Sequence, residues 1–197
     1  SVNNIVSTVY QSIHNLMDAS VFWVGVYNEE TNALDFEGSI EKGEVLEPFS
    51  IDCRDKSRLA VSCFNNEQEV LINDFLRDYV QYIPILKQAV AGDQPSSIIY
   101  LPLKGKDGKL GVITVQSFRK YAYTEYHVNI LRNLATYTTI ALENALLYQN
   151  LENKVKERTY ELESQKDKIS KAYDNIKLLS EIGQTLTGLL SLDSLIQ

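Results

Sequence analysis

Two histidines and two cysteines, His14, His127, Cys53 and Cys63, are the residues of this 197-residue chain best suited to metal, thiolate or general-base chemistry. Their spacing does not support such chemistry. A structural zinc site draws its ligands from close pairs, and these four lie far apart in sequence. Cys63 has no His or Lys beside it to lower its pKa, so it reads as a buried thiol, and both cysteines are expected to be reduced. His14 reads as a helix-border residue and His127 as a first-turn helix residue. There is no glycine-rich phosphate loop. What remains is binding chemistry. Thr114 and Gln116 are polar residues inside an otherwise apolar strand, and buried polar groups need partners that a bound molecule or water can supply. Trp23 and Tyr27 share one side of another strand, since alternate residues face the same way. Tyr79, Tyr82 and Tyr100 could add aromatic walls and hydroxyls. These seven residues are the candidate ligand-binding set. Periodicity does not fix which sheet face they line, and the alternative is that Thr114 and Gln116 face solvent.

The elements that would position them follow from apolar spacing. Ile5, Val9, Ile13, Leu16 and Met17 mark one face of an amphipathic helix. Val21 to Tyr27 and Ala33 to Ile40 read as a hairpin joined by the polar stretch Asn28 to Asn32. A short helix is expected over Lys56 to Asn65 and a strand over Val70 to Phe75. The connection from Leu76 to Ser97 is long enough to be a functional lid, or else a plain helix covering the sheet. Ser97 to Leu103 and Lys109 to Phe118 flank Asp107-Gly108, which supplies the positive φ angles of a tight turn. Pro102 cannot donate a ladder hydrogen bond and belongs at a strand edge or bulge. Thr124 reads as the N-cap of a helix with Val128, Leu131, Leu134, Ala135, Ala141, Leu142 and Ala145 on its buried side. The fold class expected is α+β, one antiparallel sheet flanked by helices, followed by a long C-terminal coiled-coil helix.

That helix carries a thin apolar stripe over Leu151 to Leu186, a span of about 54 Å at about 1.5 Å per residue. Val155, Leu162, Ile169 and Ile176 fall seven apart, and Leu151, Ala172, Leu179 and Leu186 occupy the second heptad position. Arg158 and Gln165 share that second position, where polar side chains limit register and strand number at some cost in stability. β-branched residues on the first position favour two parallel strands. The stripe is expected to be buried against a second copy of the chain, the alternative being a single surface helix or charged linker. Gly183 falls where the heptad calls for an apolar residue and marks a weak point.

A net charge of −7 argues against nucleic acid as a partner. No run approaches the ~18 apolar residues of a membrane span, and no signal peptide is visible. A cytoplasmic location without membrane contact is the expectation.

Asp18-Ala19-Ser20, Ile72-Asn73-Asp74, Leu101-Pro102-Leu103, Gly111-Val112-Ile113 and Tyr123-Thr124-Glu125 leading to Ile140-Ala141-Leu142-Glu143-Asn144-Ala145 together resemble a GAF domain. Val155-Lys156-Glu157-Arg158-Thr159 with Glu161-Leu162-Glu163 resembles the signalling helix between sensor and output domains of bacterial histidine kinases. The resemblance implies a GAF sensory domain over residues 1–147 and a signalling-helix coiled coil over 148–186. The polar and apolar pattern of Ser1 to Ser7 returns at Ser191 to Gln197, so residues 187–197 are expected to open a second GAF domain. The family implies a non-catalytic, cytoplasmic module binding a small molecule and dimerising in a two-component sensor histidine kinase. Alternatives are a regulator of a nucleotide cyclase or serine phosphatase, a ligand-free dimer scaffold, or a free methionine sulfoxide reductase. Relatives that attach bilins or bind cyclic nucleotides use residue sets this chain lacks, and no cofactor is named by its residues.

Overall fold

A computed structural model describes the backbone of residues 2–193 and the side chains of residues 3–185. The chain divides into two compact units, Ser1–Leu146 and Leu147–Gln197. In the first, helix α1 (Val2–Ile13) precedes strands β1 (Val21–Asn28), β2 (Ala33–Phe36), β3 (Ile40–Glu41), β4 (Glu44–Val45) and β5 (Phe49–Asp52). Helix α2 (Leu59–Asn66), strand β6 (Val70–Ile72), the single-turn α3 (Phe75–Asp78) and a 3-10 turn (Tyr79–Gln81) follow. Strands β7 (Ser97–Gly105) and β8 (Gly108–Ser117) then lead to helix α4 (Glu125–Asp193).

The strands form one antiparallel sheet in the order β4-β3-β1-β8-β7-β6, with β2 pairing β1 and β5. This is the α+β architecture expected from the sequence, with three corrections. The strand expected over Ala33 to Ile40 is two strands. The chain turns between them at Gly38, whose φ of +67° is the left-handed conformation that suits glycine. The small strands β4 and β5 had no signal in the sequence, being two and four residues long with too few positions to show alternation. The strand expected over Val70 to Phe75 stops at Ile72, and Phe75 begins α3. Pro102 sits where β7 has lost one neighbour, because β6 pairs no further than Tyr100, and a bulge follows at Leu103/Lys104.

Strand alternation sorts the core into two layers. Val21 and Trp23 on β1, Val112 on β8, Ile98 and Tyr100 on β7 and Ile72 on β6 face α2, α3 and the connection after them. Phe22 and Val24, Ile113 and Val115, and Ile99 and Leu101 face the other way, against Val6, Val9 and Ile13 of α1 and Val128, Leu131 and Ala135 of α4. The start of α4 is fixed locally. The Thr124 backbone N–H donates to His127 Nδ1 at 3.0 Å, while the His127 N–H donates back to the Thr124 carbonyl at 3.0 Å. The histidine thus performs a capping task at the first turn.

In the second unit the side chains through residue 185 face outward along the helix. Leu151, Val155, Leu162, Ile169, Ile176 and Leu179 are all exposed, as are Arg158, Gln165 and Ala172 between them. Arg158 pairs with Glu161 at 2.8 Å and Lys156 with Glu152 at 2.8 Å. The side chain of Leu186 and those of residues 187–197, on which the second-domain expectation rests, lie outside the described residues.

Candidate functional site

Register brings the polar residues of three strands together. Trp23 of β1 pairs with Thr114 of β8, and Thr114 pairs with Tyr100 of β7. Val21, Gln116 and Ile98 form the adjacent row. Gln116, Thr114, Trp23 and Tyr100 therefore share the sheet face that carries α2 and the long connection. All four are buried, Thr114 completely and Trp23 to 7% exposure.

A cavity of about 70 Å³ opens on this face. Trp23, Tyr100, Gln116 and Ile98 line it from the sheet, Arg58, Leu59 and Ala60 from the start of α2, and Ile83, Leu86, Val90 and Asp93 from the connection. The connection is a strap held by polar clasps at two places. At one, Lys87 Nζ donates to both Asp55 oxygens at 3.1 and 3.2 Å, and Arg58 bridges from Asp55 to the Gln88 carbonyl at 2.6 Å. At the other, the buried Glu41 carboxylate accepts the Asp93 N–H at 3.1 and 3.2 Å, and Lys42 donates to the Asp93 carboxylate at 2.5 Å. Gly92 is required there, because a side chain would run into the Glu41 carboxylate and its φ is +65°. Buried carbon then completes the closure through Ile83.

The walls are mostly apolar, and the polar groups collect on the sheet. The indole of Trp23 is wedged edge-on against Phe36 and Phe49, with centroids 5.9 and 5.1 Å away. Gln116 Nε2 donates to Tyr100 Oη at 3.3 Å. Burial pushes the Tyr100 hydroxyl well above its ordinary pKa, so it stays protonated. Trp23 Nε1 is buried without a hydrogen-bond partner, an arrangement that costs about 1–3 kcal/mol, whereas the Thr114 hydroxyl interacts with that of Tyr100.

Of the seven expected residues Trp23, Tyr100 and Gln116 line the cavity; Thr114 is buried on the same face but is not part of the lining, and the three remaining tyrosines do not reach it. Tyr27 packs tilted against Phe64, with ring centroids 4.8 Å apart, and donates to Asn32 at 3.1 Å. Tyr82 is tied to the Leu71 backbone through its hydroxyl, at 3.3 and 3.2 Å, and Tyr79 packs on Phe75. Tyr79 and Tyr82 brace the strap where it leaves β6. The clasp residues Glu41, Asp55, Arg58, Lys87 and Asp93 have no signal in the sequence, because their partners across the clasps lie 30 or more residues away and no periodicity links them.

Burial of Cys63 pushes its thiol far up in pKa, and Cys53 is shifted the same way for the same reason, which opposes thiolate chemistry at either. Among the described residues no group of three His, Cys, Asp or Glu side chains could hold a metal, and no helix is long and apolar enough to cross a membrane.

The Asp55 clasp makes the strap acid-sensitive. Hydrogen bonds from Ser57 and Lys87 hold the Asp55 carboxyl well below its ordinary value of 3.8. A depressed pKa contributes stability that is present above the unfolded value and is lost as pH falls below it toward the folded one. Asp55→Asn should lower the melting temperature at neutral pH and flatten the decline below about pH 4. A decline as steep as the parent's would show that Asp55 carries no part of it.

The family model for the GAF domain matches residues 1–143. The formate hydrogenlyase transcriptional activator FhlA of Escherichia coli is 26% identical over 159 residues, covering 80% of this chain but 23% of its own length. The chain thus spans about a quarter of that curated relative. The GAF domain of an Acinetobacter phosphoenolpyruvate-protein phosphotransferase superposes with a TM-score of 0.60 at 15% identity, covering 76% of this chain and 87% of the other. That of a Bacillus halodurans two-component sensor histidine kinase superposes with a TM-score of 0.58 at 19% identity, covering 76% and 98%. At these identities the two structures speak for the fold, and the family match, over most of the chain, for membership: this protein belongs to the GAF domain family.

Proposed function

We propose that this chain is a non-catalytic sensory and dimerisation module of a cytoplasmic signal-transduction protein. A small molecule occupies the cavity beneath the strap, residues 1–147 act as the sensor, and residues 148–186 form a parallel two-stranded coiled coil that carries the signal to an output domain. Residues 187–197 begin a second sensory domain in this reading. The observation that carries the proposal is the mostly apolar cavity under a clasped strap, into whose sheet wall Trp23, Tyr100 and Gln116 bring their polar side chains. A ligand binding beneath the strap stabilises the clasped state relative to the open one, and that difference is the free energy available for signalling. The exposed heptad stripe supports the dimer, since a stripe of leucine and isoleucine over more than three heptads finds cover most economically in its own copy.

Two outputs are supported. A sensor histidine kinase follows from the signalling-helix resemblance and agrees in kind with the Bacillus halodurans protein. A transcriptional activator is favoured by the match to FhlA.

The test is thermal melting of the chain with the low-molecular-weight fraction of a cell extract. A ligand at about a hundredfold its Kd adds about 2.7 kcal/mol of stability. The parent's melting temperature should rise, and the rise should vanish in Gln116→Leu, a change in the cavity wall. Equal rises in the two chains would place binding elsewhere.

A further inference from the structure

The cavity walls carry unequal charge, and on the reading that it is the sensory site this selects its ligand. We propose that the cavity takes a short-chain monocarboxylate, with its carboxylate on Arg58 and Tyr100 and its few carbons against the apolar wall.

The guanidinium of Arg58 has hydrogen-bonding capacity to spare. Its Nε donates to Asp55 at 3.2 Å and its Nη1 to the Gln88 carbonyl at 2.6 Å, which leaves Nη2 without an acceptor among the described residues. An anion can use Nη2 without loosening the clasp. The Arg58 charge reaches the Tyr100 hydroxyl, and both side chains line the cavity. Gln116 donates to the Tyr100 oxygen at 3.3 Å, so Tyr100 keeps its own proton to give. One carboxylate oxygen on Nη2 and the other on the Tyr100 proton make two charge-assisted hydrogen bonds.

The clasps decide which end of the cavity the carboxylate occupies. Arg58 and Lys87 share a single carboxylate, that of Asp55, so this clasp keeps a surplus of positive charge. The other clasp has the opposite balance, since Lys42 stands 2.5 Å from Asp93 and 3.9 Å from Glu41. Asp93 is on the lining, and its charge turns the carboxylate toward Arg58. Arg58 is also the residue at which α2 begins, and the positive end of that helix adds to the field there.

Size and wall chemistry set the rest of the molecule. A water takes up about 10–15 Å³ of such space, so about 70 Å³ holds on the order of five non-hydrogen atoms. Ile51, Leu59, Ala60, Ile83 and Ile98 surround the polar groups with carbon. They suit a short hydrocarbon tail and offer nothing to the remaining oxygens of an inorganic oxyanion.

Propionate and propionamide share one heavy-atom frame and differ in charge, while inorganic phosphate has charge without carbon. Calorimetry at constant ionic strength should find propionate bound at least about tenfold more tightly than propionamide or phosphate. The chain's one tryptophan lines the cavity, so its indole cross-peak in a nitrogen-15 spectrum should move with propionate and locate the binding. In Arg58→Gln the preference for propionate over propionamide should fall to about unity. A loosened clasp alone would weaken both molecules alike and keep the ratio. Tyr100→Phe, which leaves every clasp bond in place, should weaken propionate about fivefold. That variant and the three-probe comparison on the parent stand even if Arg58→Gln fails to fold. Propionamide or phosphate binding as tightly as propionate would overturn the carboxylate class while leaving a ligand-binding cavity in place, and a preference that survives both variants would overturn the assignment to Arg58 and Tyr100. An indole signal indifferent to all three probes would overturn the sensory reading of the cavity together with this one.

Discussion

Gly111→Ala should destabilise the first unit by on the order of 4 kcal/mol, a large share of the roughly 5–15 kcal/mol that holds a domain folded. Gly111 lies in β8 with φ of +156°, paired with Val26, and a Cβ there would stand 1.9 Å from the Gly25 carbonyl oxygen of β1. Both partners are backbone in the two central strands, so neither can yield without breaking the ladder that holds Trp23 opposite Thr114. Gly25 is constrained from the other side, since a Cβ on it would meet the Phe36 ring at 2.5 Å. Gly43→Ala is the matched control. Its φ is +84° but nothing lies within 4 Å, so only the local conformational cost of about 1 kcal/mol applies. Urea denaturation separates the two, and a Gly111→Ala chain as stable as Gly43→Ala would show that the β1–β8 approach is looser than described.

Replacing Leu162 and Ile169 together by Asp should convert the dimer to monomer. In two parallel helices the double substitution removes four seam side chains, each worth about 1.5–3 kcal/mol when buried, and puts like charges in their place. Ser164→Asp, off the seam, should leave the mass unchanged. Light scattering reads both. A double variant with the parent's mass would mean that the heptads do not hold the copies together, and a monomeric parent would mean the same.

Legibility in the sequence followed physical range. The α+β class, β1, β7, β8 and the Thr124 start of α4 are readable, because alternation and capping are written within a few residues; the turn between β7 and β8 falls one residue earlier than expected, on Lys106-Asp107, and only Gly108 takes a positive φ. Trp23, Tyr100, Thr114 and Gln116 could be named as polar or aromatic residues in apolar strands, but their common face could not, since it depends on the register β1–β8–β7. Tyr27 is expected from its alternation with Trp23, and Tyr79 and Tyr82 from side-chain type and their place on the connection, yet each spends its ring or hydroxyl on a structural contact. The strap clasps were invisible for a different reason. Glu41 and Asp93 are single acidic residues whose meaning comes from folding, when a buried carboxylate lands beside a glycine 51 positions away along the chain and accepts the next N–H.

The central claim is that a dimer carries a small molecule beneath the strap of each protomer. Native mass spectrometry of the chain, purified without denaturation, tests both halves at once. The account predicts the mass of two chains plus a small adduct on each, with the adduct absent from Gln116→Leu, a change in the cavity wall, although that chain still dimerises. A bare monomer, or an adduct retained undiminished by Gln116→Leu, would contradict it.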